Sequence, residues 1–143
     1  MVTANEDGPL VIDASVTAAW CFSDEATDAS RMLLRSLPSR QVVVPALWHA
    51  ECANFLLTAE RRNRISTERC DELLNLLASL PIETDPETAN IRTSVFRLAR
   101  SCRLTIYDAI YLDLACKRGI ALATRDKELQ RAANRQSIQL VVI

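Results

Sequence analysis

Glycine occurs only twice in this chain of 143 residues, proline five times and histidine once. So little glycine and proline, beside a hydrophobic fraction of 49%, excludes collagen-like, linker-dominated and disordered chains, which cannot bury enough apolar surface to fold. Two glycines leave no glycine-rich loop to cradle a nucleotide phosphate, so Walker and dinucleotide-binding patterns fail. A lone His49 removes every multi-histidine metal site. A Ser-His-Asp triad would have to use that residue, without any G-x-S-x-G elbow. Cys21, Cys52, Cys70, Cys102 and Cys116 are odd in number, widely spaced and without a C-x-x-C pair, which speaks against a disulfide framework or a zinc site. The longest apolar run, Val42 to Trp48, is too short for a bilayer and contains Pro45. Glu6 and Asp7 stand where a secretory signal would be basic. A soluble, cytoplasmic, single-domain protein without membrane association is expected.

Lysine is also scarce: 15 of the 17 basic residues are arginine, and the formal net charge is −1. The arginines gather in two groups, Arg61, Arg62, Arg64 and Arg69, then Arg92, Arg97, Arg100 and Arg103. Guanidinium pairs bidentately with phosphate. A chain held to nucleic acid by bulk charge would be more basic, so a phosphate partner must be gripped locally.

What is present is an alternation of short apolar runs and longer helical patterns. Leu10 to Ile12, Val42 to Val44, Ala121 to Ala123 and Leu140 to Val142 read as strands, with Pro81 to Thr84 as a short edge strand. Helices are expected from Pro45 to Arg61, with the proline at the first helical position, and from Ser66 to Leu80. Asp85-Pro86 reads as a cap and first-turn proline of a helix ending near Cys102. Thr105 to Asp108 resembles a capping box for a helix that stops at Gly119, and a last helix covers Asp126 to Asn134. Such an order implies an α/β fold with a mostly parallel sheet covered on both faces. Ligands of such sheets bind beyond the carboxyl ends of the strands, where strand order reverses.

Four acids therefore stand out. Asp13 and Asp126 follow strands, where each is also a plausible helix cap. Glu51 lies beside the apolar stripe Trp48, Cys52, Phe55 and Ala59 of its helix, in line with Asn54, Thr58 and Arg61; an outward-reaching border glutamate accounts for it equally well. Asp108 shares helical positions with Tyr111, Leu112 and Ala115, so it points where its helix is apolar. Asp113 faces another way and reads as a solvated partner of Lys117. Two carboxylates about 4 Å apart repel by roughly 4 kcal/mol at an effective dielectric near 20. Convergence of all four would favour protonation or a bound cation. An all-oxygen set selects Mg²⁺ or Mn²⁺, suited to phosphodiester chemistry.

With these residues in place, the chain resembles the PIN-domain ribonucleases, and among them the VapC-type toxins of type II toxin–antitoxin pairs. Val11-Ile12-Asp13-Ala14-Ser15 is similar to the first motif of that family, and Pro45-Ala46-Leu47 with Glu51 and Asn54 to the second. Asp108 to Ala115 resembles the third, and Leu122-Ala123-Thr124-Arg125-Asp126 the fourth. The acids are separated by 38, 57 and 18 residues. The resemblance implies a PIN-like three-layer α/β/α sandwich, with Asp13, Asp108 and Asp126 on Mg²⁺ (or Mn²⁺) and Glu51 helping to place water or a second ion. It further implies that Ser15, Asn54 and Thr124 orient those carboxylates. The expected activity is endonucleolytic cleavage of cellular RNA by a homodimer neutralised by a small cognate antitoxin, with Arg61 as a candidate phosphate contact. The alternative is a non-catalytic PIN-like module that binds RNA or antitoxin. A receiver-type signalling domain is disfavoured, because Glu6 and Asp7 precede the first strand and the only lysines are Lys117 and Lys127.

Overall fold

A computed structural model describes residues 7–143. The first six residues, including Glu6 and part of the single-domain span 1–143, lie outside the described residues. Among the described residues five strands, β1 (Leu10–Ile12), β2 (Val42–Pro45), β3 (Ile82–Asp85), β4 (Ala121–Ala123) and β5 (Leu140–Val141), form one sheet in the order β3-β2-β1-β4-β5. Every pairing is parallel. The expected mostly parallel sheet is thus parallel throughout the described residues, and β3 is indeed an edge strand. Strand order reverses beside β1: the chain moves outward through β2 and β3, then returns to place β4 on the other side. Ile12 is in register with Ala123, so Asp13 and Thr124 leave the sheet side by side.

Among the described residues seven α-helices flank the sheet: α1 (Ala14–Cys21), α2 (Asp28–Ser36), α3 (Leu47–Arg61), α4 (Thr67–Ser79), α5 (Phe96–Cys102), α6 (Ile106–Arg118) and α7 (Lys127–Arg135). Helices α1 and α2 occupy a stretch to which the sequence pattern assigned no element. Helix α1 is only eight residues of mixed polarity, buried at Val16, Thr17, Ala19 and Cys21, so its periodicity carries little signal. Leu10, Val11 and Ile12 are fully buried, each worth about 1.5–3 kcal/mol of apolar transfer. Trp48, Cys52, Tyr111, Leu112 and Leu122 complete the core between sheet and helices. A smaller cluster of Cys21, Phe22, Leu56, Ala59, Cys70 and Leu73 joins α1 to the α3–α4 pair. All five cysteines are unpaired. Among the described residues no helix is long and apolar enough to cross a membrane.

Three boundaries depart from the sequence reading. Pro45 ends β2, opposite Asp85 of β3, and α3 begins only at Leu47. A proline is tolerated at a strand end, where no further ladder N–H is required. Asp85 likewise ends β3 instead of capping a helix: its carboxylate accepts from the Glu87 backbone N–H at 2.9 Å and from Arg118 at 3.1 Å. The helix after it starts later, in a π-helical turn at Ile91–Val95 that runs into α5. At α6, Thr105 caps the Asp108 N–H at 3.1 Å, but the reciprocal half of the capping box is not formed. The C-terminus of α6 ends on Gly119 at φ 62, a left-handed conformation that glycine adopts without a Cβ clash.

Candidate active site

Asp13 leaves β1 at the point of strand-order reversal and is 5% exposed. One carboxylate oxygen, Oδ1, accepts from the Ser15 hydroxyl at 2.6 Å and from the Val16 backbone N–H at 3.2 Å, capping α1. The other, Oδ2, accepts from the Thr124 hydroxyl at 2.5 Å. Cap and candidate site residue are therefore the same group, because helix α1 starts where the strand ends. Burial pushes the Asp13 carboxyl above its ordinary value; the Ser15, Thr124 and Val16 hydrogen bonds oppose this, and the nearby Asp108 charge adds to it.

Asp126 repeats the arrangement after β4. Its Oδ1 caps the Leu129 N–H of α7 at 2.9 Å, while its own N–H donates to the Thr124 hydroxyl at 3.0 Å. Thr124, fully buried, thus accepts from Asp126 and donates to Asp13, tying the two strand-end acids together. Its carbonyl is held in turn by the Gln130 amide at 2.8 Å.

Helix α3 brings in Glu51, half-buried, whose Oε1 accepts from the Tyr111 hydroxyl at 2.5 Å. Tyr111 is 1% exposed; burial and the adjoining Glu51 hold its phenol protonated well beyond the usual range. Asp108 projects from the first turn of α6. Its carboxyl is raised first by burial and then by Asp126, with Glu51 adding a smaller push and Thr105 a compensating hydrogen bond. Asp108 thus senses Asp126 and Glu51, and Asp13 senses Asp108. None of the four acids forms an ion pair with a described residue. Among the described residues no group of three or more His, Cys, Asp or Glu side chains stands in a metal-holding arrangement. The donors are nonetheless all oxygen, uncompensated by cations and held in mutual repulsion, which is the chemistry a hard divalent ion relieves.

The remaining sequence candidates are placed differently. Ser15 and Thr124 both bond Asp13 directly. Asn54 does not: it is exposed one turn beyond Glu51 and bonds none of the four acids, because an exposed side chain on the outer side of α3 does not reach the buried carboxylate of Asp13. Arg61, the last residue of α3, is exposed and unpaired among the described residues. Asp113 corrects the sequence reading outright. It is 6% exposed and accepts from the Asn90 amide at 2.5 Å, while Lys117 pairs with Glu87 at 2.8 Å. The loop before α5 folds over that face of α6, so helical spacing alone misplaces it in solvent.

Two contributors escaped the sequence. Tyr111 read as core, and its hydroxyl gives no periodic signal. Arg125, between Thr124 and Asp126, donates its backbone N–H to the Ser15 hydroxyl at 2.9 Å and its guanidinium to Glu25 at 2.9 Å. Glu25 also accepts from Arg64 at 2.8 Å, and Arg64 lies 3.9 Å over the Phe22 ring. Burial raises the Glu25 carboxyl, but the Arg64 and Arg125 hydrogen bonds outweigh it and leave it below its usual value.

Comparison with known proteins follows the same lines. The chain is similar in structure to VapBC2 from Rickettsia felis bound to a DNA fragment from its promoter (TM-score 0.70, 13% identity, 94% of this chain and 98% of that one). It is similar to PAE2754 from Pyrobaculum aerophilum (TM-score 0.69, 24% identity, 94% and 92% covered). It also resembles VapC20, a sarcin–ricin-loop-cleaving toxin of Mycobacterium tuberculosis (TM-score 0.62, 17% identity, 86% and 94% covered). No curated protein matches the sequence. The PIN-domain family model matches residues 10–135, from the first residue of β1 to the last of α7, and the chain belongs to the PIN-domain family.

Proposed function

We propose that this chain is a VapC-type toxin: a divalent-metal-dependent endoribonuclease whose active acids are Asp13, Glu51, Asp108 and Asp126. The observation that carries this reading is Asp13, a buried carboxylate at the strand-order reversal. It is bonded on both oxygens by hydroxyls and neighboured by further acids without a cationic partner. A buried carboxylate with other acids beside it and no cationic partner is costly, and a bound cation removes that cost.

Asp13, Asp108 and Asp126 would hold Mg²⁺ or Mn²⁺, with Glu51 reaching a water or a second ion. Such an ion supplies Lewis-acid stabilisation of the scissile phosphate and a more acidic water. The chain's own part is orientation. Ser15 and Thr124 fix the rotamer of Asp13, Thr124 couples it to Asp126, and Tyr111 fixes Glu51 by donating to Oε1. Asn54, lacking a bond to the acids, faces the solvent from which RNA would arrive, and Arg61 is available to a phosphate. A small antitoxin as partner is supported by likeness of fold to the VapBC2 complex and to FitAcB from Neisseria gonorrhoeae. Exposed Leu57, Leu74 and Leu76 on α3 and α4 suit the homodimer expected of such a toxin. Cytoplasmic residence follows from RNA as substrate.

Sequencing of RNA 5′ ends after brief induction, wild type against Asp13→Asn, tests the reading. New 5′-phosphate ends that vanish in the variant support the enzyme. Identical ends in both would defeat it. RNA or antitoxin binding without cleavage in either protein would instead establish the non-catalytic module.

A further inference from the structure

Between Glu87 and Asp108 the chain contains no carboxylate and four arginines, Arg92, Arg97, Arg100 and Arg103. All four are exposed, and none forms an ion pair with a described residue. Arg31, Arg64, Arg69, Arg118, Arg125 and Arg131 are each matched with a nearby acid. Arg35, Arg61, Arg62 and Arg135 are also exposed and without an ion pair to a described residue, but no other carboxylate-free stretch of the chain carries four arginines. Helix α5 buries Ala99 and Cys102 on its inner side, next to buried Val95 of the preceding π-helical turn. Its outer side therefore presents Phe96, Arg97 and Arg100, with the Arg100 guanidinium 4.8 Å above the Phe96 ring. Phe96 is 45% exposed and Tyr107 61%, two large aromatic side chains partly open to solvent. Tyr107 immediately precedes Asp108, and Arg103 ends α5 at φ 55, a left-handed conformation that a non-glycine residue adopts at a steric cost. Along the chain, the arginines and aromatic ring of α5 and its cap Arg103 are thus followed by Tyr107 and Asp108 in the first turn of α6.

We propose that the outer face of α5, continued by Arg103 and Tyr107, is the track along which a single-stranded segment of RNA reaches Asp108. The inference rests on the nuclease reading above and names how its substrate is held. A chain of net charge −1 offers a polyanion little general attraction, and the carboxylates at the site repel one. Local guanidinium groups are what can hold the phosphates. Exposed aromatic rings accept unstacked bases, which single strands and loops provide and duplexes do not.

Fluorescence anisotropy of the full chain with a labelled single-stranded oligoribonucleotide in metal-free buffer tests the track. Arg97→Ala/Arg100→Ala is expected to weaken binding tenfold or more. It should also lower the slope of log affinity against log salt by about 0.7 for each phosphate that is no longer neutralised. Phe96→Ala and Tyr107→Ala should each weaken single-strand binding several-fold while leaving binding of a duplex of the same sequence nearly unchanged. Arg131→Ala, on α7, serves as the comparison, since that guanidinium is already paired with Glu128. In cleavage assays the double variant should raise KM with kcat near wild type. All substituted side chains are exposed, and circular dichroism melts verify folding.

Affinity and salt slope within twofold of wild type in the double variant would overturn the proposal. So would equal losses on single-stranded and duplex RNA in the aromatic variants. Retained RNA affinity with an altered sedimentation coefficient would also overturn it, making the face a contact between protein chains. Asp13→Asn separates the two readings. If that variant cleaves like wild type, the nuclease assignment falls, while the anisotropy series still decides what α5 binds.

Discussion

Arg125 brackets Ser15: its backbone N–H donates to the Ser15 hydroxyl at 2.9 Å, and its guanidinium donates to the Ser15 carbonyl at 3.2 Å. Because the Ser15 oxygen accepts from Arg125, its own proton is directed to Asp13 Oδ1 at 2.6 Å. Glu25, itself bonded to Arg64, anchors the far end of the guanidinium. Arg125→Ala keeps the backbone N–H but removes the guanidinium bonds to the Ser15 carbonyl and Glu25. Loosening that support is expected to lower kcat for RNA cleavage about tenfold, the usual scale for groups that orient metal-site ligands, with KM little changed. Steady-state kinetics check this; a raised KM at constant kcat would instead make Arg125 an RNA contact.

Tyr111→Phe removes the only hydroxyl donor to Glu51 among the described residues while retaining the buried ring. The expected loss of stability is about 1 kcal/mol, a shift of a few degrees in melting temperature, and cleavage should fall several-fold. Thermal melts and initial rates measure the two separately. Full activity would show that Glu51 is held correctly without its tyrosine.

Asp13 and Asp108 both titrate above the ordinary carboxylate value, chiefly through burial. The native state therefore keeps their protons to higher pH than the unfolded chain does. Stability from this source is complete below the unfolded-state value and is lost as pH rises through the higher native value. A cation must displace those protons, so Mn²⁺ should bind more tightly as pH rises through the same window. Unfolding at about pH 5 and about pH 8, with and without Mn²⁺, should show the larger cation-induced stabilisation at the higher pH. Asp108→Asn should raise the metal-free melting temperature by a few degrees and abolish the added stabilisation. A variant that Mn²⁺ still stabilises as it does wild type would remove Asp108 from the site.

Asn90→Ala withdraws the amide that satisfies buried Asp113. The stranded carboxylate should cost about 1–3 kcal/mol, seen as a lower urea midpoint, with cleavage retained. An unchanged midpoint would mean that water replaces the amide at no cost.

Most of the strands and the positions of the four acids were legible because the signals are local. Apolar runs such as Leu10 to Ile12 mark buried strands, and an acid directly after a strand marks both a helix start and a sheet edge. Less legible were short or overridden elements. Helix α1 is too brief for its period to show. Pro45 and Asp85 carry helix-start chemistry that strand pairing between β2 and β3 overrides. Asp113 was placed by helical spacing alone, which says which side of a helix a residue occupies but not what covers that side.

By itself the sequence determined the alternating α/β order, the four acids and the arginine-rich, acid-free stretch before Asp108. Each depends on residue type and on neighbours a few positions away. Tertiary structure alone decided which groups meet across long separations. Thr124 reaches Asp13, Tyr111 reaches Glu51, and Arg125 holds Ser15 and Glu25. Those contacts span 111, 60, 110 and 100 residues. They arise because parallel strand pairing sets β1 beside β4 and brings α3 and α6 against the same core, a choice that no local pattern encodes.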